Sequence, residues 1–407
     1  ILASNSALGS GALNAAAGTT LDSSTAVALA NTVNLAGNLG ILGTADLSLN
    51  GLVSGSGGLT KTGAGTLTLG GANAYLDGTQ LNAGSLTLGN ASALGSGALA
   101  VNGATTLDTN TALALANNTS LNAALTVGGS NDLSLNGVVD GSGSLTKAGG
   151  ANLTLNGANT YSGGTALNAG TLTLGSTTAL GSGALTVGGA ATLANSTPLV
   201  LANAVNLNGD LSVAGSNNLT LAGVLAGNAA LIKNGAADLL LTGNNSFSGP
   251  LTVAAGSVTT AGNGALGTTS GVTVGSGASL NLGGNANLNS LAGTGTVQVA
   301  GGATLAVGGS NLDNSFGGAL NGAGNLDKNG SGVLNLSGTN AISGAANVNG
   351  GTLNVTGSLA SGTVAVNSGA TLAGSGSLAG AVSVADGGHI GLASGSTLSV
   401  GSLVMGG

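Results

Sequence analysis

A chain of 407 residues would ordinarily build two or three globular domains, but this one has 81 Gly, no Cys, no Trp and only two Tyr and two Phe, which excludes conventional aromatic-rich cores, disulfide frameworks and thiolate chemistry. Its charges are four Lys and 11 Asp, a net of −7. An anionic chain without Arg cannot neutralise phosphates, which excludes nucleic acid as a partner and makes anionic lipid equally poor. Sparse charge can mark disorder, but apolar residues make up 42% and alternate regularly, which marks a folded chain.

The chain starts at Ile1 without a charged leader or an apolar signal core, so it reads as a processed or excised fragment. No run of about 18 apolar residues announces a transmembrane helix. The first recurring motif, Ala-Leu-Gly-Ser-Gly-Ala-Leu at 7–13, returns at 93–99 and 179–185, and a decayed copy starts at Ala265. The step is 86 residues each time. The Ala-rich stretch 26–36 is the nearest approach to a helix, but its Val, Thr and Asn favour strand. Leu59-Thr60-Lys61, Leu145-Thr146-Lys147 and Leu231-Ile232-Lys233 keep the 86-residue step, and Leu326-Asp327-Lys328 follows 95 later, so about nine residues are inserted in the last unit. After each Lys comes an alternating run such as Thr66-Leu67-Thr68-Leu69, which reads as strand with one buried face. The strands end in Gly, Asn or Ser, as turns require.

Short strands every ~10 residues permit a sandwich, a barrel or a solenoid. The long period selects the solenoid: four rungs of about 20–22 residues fill one unit. The expected fold is all-β, a single-stranded parallel β-helix of about 19–20 rungs. It forms one continuous domain over 1–407, with repeat units 1–86, 87–172, 173–258 and 259–353 and a tail 354–407. Small side chains suit a narrow lumen in which like residues stack about 4.8 Å apart.

Certain residues recur in every unit or nearly so. They are the four lysines Lys61, Lys147, Lys233 and Lys328, the aromatics Tyr75, Tyr161 and Phe247 (Ile342 in the fourth unit), and Asn73, Asn159, Asn245 and Asn340 two residues before these. Asp22 with Asp108, and Asp46 with Asp132, repeat as well. The lysines read either as a periodic ligand-binding cation or as solvated markers of common ancestry. The aromatics read either as sugar-stacking platforms or as corner plugs. The seven lysines and aromatics are the candidates for surface contact.

Catalysis finds little to stand on. His389, with Ser383 and Asp386 nearby, lacks the elbow of a nucleophilic triad and reads as an exposed turn residue. The Asp are scattered, Asp132 and Asp140 being the nearest pair, where glycoside hydrolysis needs paired carboxylates. Gly128–Asp132 and Gly308–Asp313 only echo a calcium-binding nonapeptide, and zinc lacks Cys or clustered His. The Gly-rich stretches lack the Lys-Ser/Thr of a phosphate loop. Four aromatics cannot form the two girdles of a membrane barrel. The expectation is therefore no enzyme, and no catalytic, cofactor or metal site.

Leu59–Leu69 with Gly71-Ala72-Asn73-Ala74-Tyr75 and Leu81–Leu86 resembles the passenger-associated repeat of type V autotransporters. The second copy, Leu153–Thr165 followed by Asn168–Leu172, is closer, and copies at 231–258 and 326–354 are legible. Gly369–Leu378 resembles the membrane-proximal end of such passengers, although His389–Ser394 stands where relatives have Pro-Gly-Asn-Ser. The resemblance implies a right-handed β-helix, Sec-dependent export, and attachment to the membrane only through a C-terminal barrel absent from this chain. It implies a passenger on the cell surface or secreted, acting in adhesion, autoaggregation or biofilm formation. Its partners would be copies of itself on neighbouring cells, or host or matrix glycans or proteins. The alternatives are a passive spacer presenting an N-terminal effector, and a polysaccharide-acting β-helix enzyme.

Overall fold

Leu and Val alternate with Ser, Thr, Asn and Ala along each short segment, so one side of every strand seeks burial and the other water. A three-residue strand cannot bury that side alone. The computed structural model, described for residues 1–406, solves this by coiling the chain into a parallel β-solenoid of about 20 turns, with no helix among the described residues. The structure divides into two compact units, 1–197 and 198–407. The boundary lies inside the third sequence module.

In the first unit a full turn carries three strands, one per face, and some turns cross one face without a strand. Val33–Leu35, Leu39–Ile41 and Leu47–Leu49 form one turn, and Val53–Gly55, Leu59–Lys61 and Thr66–Leu69 lie on it in parallel. Val33 pairs with Val53, Leu39 with Leu59 and Leu47 with Leu67, each twenty positions further along the chain. The second unit is built the same way with a looser step. There Ser279 pairs with Thr296, seventeen positions on, and Gly293 with Phe316, twenty-three on.

The core is the lumen. Strand after strand shows a buried, half-exposed, buried pattern, as in Leu133-Ser134-Leu135 and Leu219-Thr220-Leu221. Each fully buried Leu or Val contributes roughly 1.5–3 kcal/mol, which is how a chain with few aromatics finds its stability. Corners are made by glycines where the backbone enters the left-handed region. Gly141 has φ 102°, and a Cβ there would lie 2.2 Å from the Leu121 carbonyl oxygen of the rung below.

The register overturns one expectation. Leu59 stacks through Thr79, Leu99 and Thr119 to Val139, so four turns carry the chain from position 59 to position 139. The module repeat, which carries Leu59 to Leu145, overshoots this by six residues, one strand and its corner. Leu145 therefore lies on a different sheet from Leu59, paired with Leu125 and Thr165. One module is thus about four and a third turns, not four rungs. In the second unit, Lys233 and Lys328 also occupy different sheets, the longer fourth module adding one further strand. Equivalent residues walk around the solenoid instead of lining one face.

Candidate functional site: buried markers and an outer hydroxyl and amide surface

The recurring lysines and aromatics are inside. Lys61 and Lys147 are 0% exposed, Lys328 1% and Lys233 2%, and Tyr75, Tyr161 and Phe247 are all 0%. The expectation of surface contact is corrected at all seven positions. They also cannot be solvated markers or stacking platforms, because each occupies an inward position of its strand or corner. His389 is likewise not in a turn; it opens the strand His389–Gly391, its backbone N–H bonded to Ala370.

Each lysine stands in an apolar column: Ile41, Lys61, Leu81 in the first module and Val127, Lys147, Leu167 in the second. The stem continues the column, and the ammonium turns into the corner to meet backbone carbonyls. Lys61 donates to Gly63 and, at 3.4 Å, to Ala83 of the next rung. Lys147 donates to Gly149 and Ala169, and Lys233 to Gly235 and Ala255, in the same arrangement. Lys328 meets three carbonyls, Asn329 at 2.7 Å and Gly330 and Gly350 at 3.0 Å. Burial pushes all four ammonium pKa values down, and an aspartate partly offsets this: Asp46 for Lys61, Asp132 then Asp108 for Lys147, Asp238 for Lys233 and Asp313 for Lys328.

Those aspartates have a second task. The side-chain oxygen of Asp46 accepts the Thr66 N–H one rung on, at 2.7 Å, and Asp132 and Asp313 accept from Asn152 and Val333 at 2.8 Å. Asn218 fills the position in the third module, accepting from Asp238. The repeat of Asp46 with Asp132 is evident in the sequence, and that of Asn218 and Asp313 was missed. One signal could have revealed them: Asp46 precedes Lys61 by the same interval as Asp132 precedes Lys147, Asn218 precedes Lys233 and Asp313 precedes Lys328. Asp22 accepts from Thr44, and the Thr44 backbone N–H, followed by its hydroxyl, holds that carboxyl below the usual range.

The repeated asparagines are staples between rungs. Asn159 accepts the Val139 N–H from the rung below at 2.8 Å and donates to the Ala179 carbonyl above at 2.7 Å. Asn73 joins Val53 to Ala93, and Asn245 joins Leu225 to Ala265. Asn340 joins Leu320 to Ser358. Beside the staple, the Tyr75 and Tyr161 hydroxyls pair with Thr79 and Thr165 at 2.5 and 2.6 Å. Burial raises both phenols to about 12. Where Phe247 replaces Tyr, Leu251 replaces the Thr, so no hydroxyl is orphaned.

Much of what faces outward is hydroxyl and amide, with single exposed apolar side chains such as Leu76 and Val200 between them. In the first unit one column runs Thr66, Ser85, Thr106, Thr126, Thr146, Ala166, Thr186 in register. Ser144, Thr146, Ser162, Gly163, Gly164, Ala184 and Thr186 line a shallow groove of about 250 Å³. Amide ladders run Asn82–Asn102–Asn122 at 2.9 and 2.8 Å, and Asn329–Asn349–Asn367 at 2.9 and 2.8 Å. With the lysines inside, the side-chain charges of the outer surface are aspartates.

The passenger-associated-transport-repeat family matches four times, at residues 59–88, 145–174, 231–259 and 326–355. Each match begins two residues before a caged lysine. No curated protein and no solved structure matches the chain.

Proposed function

The chain is a β-solenoid of four passenger-associated transport repeats, the build of an autotransporter passenger, and from that premise we propose that it is an extracellular adhesive stalk acting at the cell surface or after release. The observation that carries this reading is the outer face. Hydroxyls and amides recur rung after rung at about 4.8 Å, while every lysine is caged inside. Each hydrogen bond contributes only about 0.5–1.5 kcal/mol, but a repeating surface makes many at once to a neighbouring copy or to an uncharged glycan. The chain has no enzymatic part in this reading.

The test is display of this segment on cells that do not aggregate, scored by settling and by binding to neutral glycans and matrix proteins. Adhesive function predicts one of these, and it predicts loss when Thr126, Thr146 and Thr186 are changed to Glu. Neither settling nor binding would retire the adhesive reading in favour of a spacer. The spacer has an observation of its own: within each compact unit the two lysine markers lie on different sheets, Lys61 apart from Lys147 and Lys233 apart from Lys328.

A further inference from the structure

Asparagine followed by glycine carries a chemistry of its own. The glycine N, giving up its proton, attacks the asparagine Cγ. A C–N bond forms there as the bond to the side-chain nitrogen breaks, and ammonia leaves with the proton. Water then opens the cyclic imide at either carbonyl, leaving aspartate or isoaspartate and one more negative charge. Glycine permits the attack because no Cβ shields its N. The dipeptide occurs ten times in this chain, from Asn50-Gly51 to Asn349-Gly350. The four buried staples are not among them: Asn73, Asn159, Asn245 and Asn340 precede Ala, Thr, Ser and Ala.

The attack needs the side chain to swing onto the backbone of the next residue, so any hydrogen bond that holds the amide opposes it. Eight of the ten asparagines are held by at least one such bond. Asn102 is held at both ends, donating to Asn82 at 2.9 Å and accepting from Asn122 at 2.8 Å. Asn349 is held likewise between Asn329 and Asn367. Among the described residues, two Asn-Gly side chains make no hydrogen bond, those of Asn50 and Asn208. Both are exposed, in the corners that follow Leu47–Leu49 and Val205–Leu207. The oxygen of Asn50 meets Gly70 of the next rung, whose N–H already donates to the Leu49 carbonyl. We propose that the ladders and single bonds holding these amides guard the Asn-Gly corners, and that Asn50 and Asn208, left outside them, are sites of spontaneous conversion to aspartate and isoaspartate. Isoaspartate routes the backbone through the side chain, lengthening the corner, and each event adds to the −7 charge of the chain.

The full folded chain is kept in warm, mildly alkaline buffer, which favours loss of the glycine N–H proton, and its peptides are mapped over time by mass spectrometry beside the urea-unfolded chain. Breaking two hydrogen bonds before the attack slows it about tenfold or more. Asn50 and Asn208 should therefore convert about tenfold faster than Asn102 and Asn349 in the folded chain. Unfolded, with no amide held, all four should convert at similar rates. The proposal is overturned if Asn102 and Asn349 convert as fast as Asn50 and Asn208 when folded. It is equally overturned if Asn50 and Asn208 stay as intact as the laddered pair while the unfolded chain converts.

Removing the guards tests the cause. Asn82 and Asn122 precede Ala, and their side chains lie on the outer surface, so Asn82→Ala with Asn122→Ala takes both partners from Asn102 without touching the lumen. Asn102 should then convert about tenfold faster, approaching Asn50, while Asn349, in a separate ladder, is unchanged. No rise at Asn102 overturns the guarding role. If the variant loses its fold, Asn349 rises together with Asn102, and the comparison of free with laddered asparagines in the unaltered chain decides.

Discussion

Asn159 makes two hydrogen bonds that alanine cannot, and both partners are backbone groups of other rungs. Asn159→Ala leaves a buried N–H and a buried carbonyl unpaired, so it should lower stability by about 2–4 kcal/mol, read from the denaturant midpoint. Tyr161→Phe should cost about 1–2 kcal/mol by orphaning the Thr165 hydroxyl. The pair Tyr161→Phe with Thr165→Leu, which reproduces Phe247 with Leu251, should recover most of that loss in a double-mutant cycle. The titrating groups pull in opposite directions. A lysine lowered in the folded state binds fewer protons than in the unfolded chain, so stability rises with pH up to the unfolded value of 10.5. A tyrosine raised from 10.0 to about 12 contributes stability below pH 10 and loses it as pH climbs through about 12. Urea midpoints measured from pH 7 to 12 should therefore rise and then fall. Three aromatics, four asparagines and four lysines were legible as repeats at this scale. The partners that receive them were not, because in adjoining rungs these stand a full turn away along the chain, as Ala83 does from Lys61 and Val139 from Asn159.

At the scale of strand and corner, alternation was enough. Thr66-Leu67-Thr68-Leu69 reads as a strand and is one, with both leucines fully buried. The corners were legible only as glycine-rich, and not all their glycines carry the same burden. Gly141 has a left-handed φ and the Leu121 carbonyl against it, so Gly141→Ala should cost about 2–3 kcal/mol. Gly150 has open space and no left-handed φ, so Gly150→Ala should stay within about 0.5 kcal/mol. The same chemical change at two neighbouring corners thus separates strain from mere composition, with the urea midpoint as the measurement for both.

Across the molecule, burial of the lysines changes what the surface can do. The exposed side-chain charges are aspartates spread thinly among hydroxyls and amides, so binding through that surface should be nearly indifferent to salt. Settling or glycan binding should change less than about twofold between roughly 0.05 and 0.5 M salt, whereas an ion-paired interface would weaken strongly. The sequence by itself determined an all-β chain, the solenoid, the four modules and their family, because period-two alternation and regular spacing are local or countable properties. Only the tertiary structure decided that a module is four and a third turns and that its lysines are caged inside. The first follows from the length of a turn, which in the first unit carries Val33 to Val53 and does not divide the module evenly; the second rests on carbonyls that the next rung brings to the ammonium, as Ala83 for Lys61. Neither the sheet on which a module's residues land nor the carbonyls they meet there is written in their own neighbourhood of the chain.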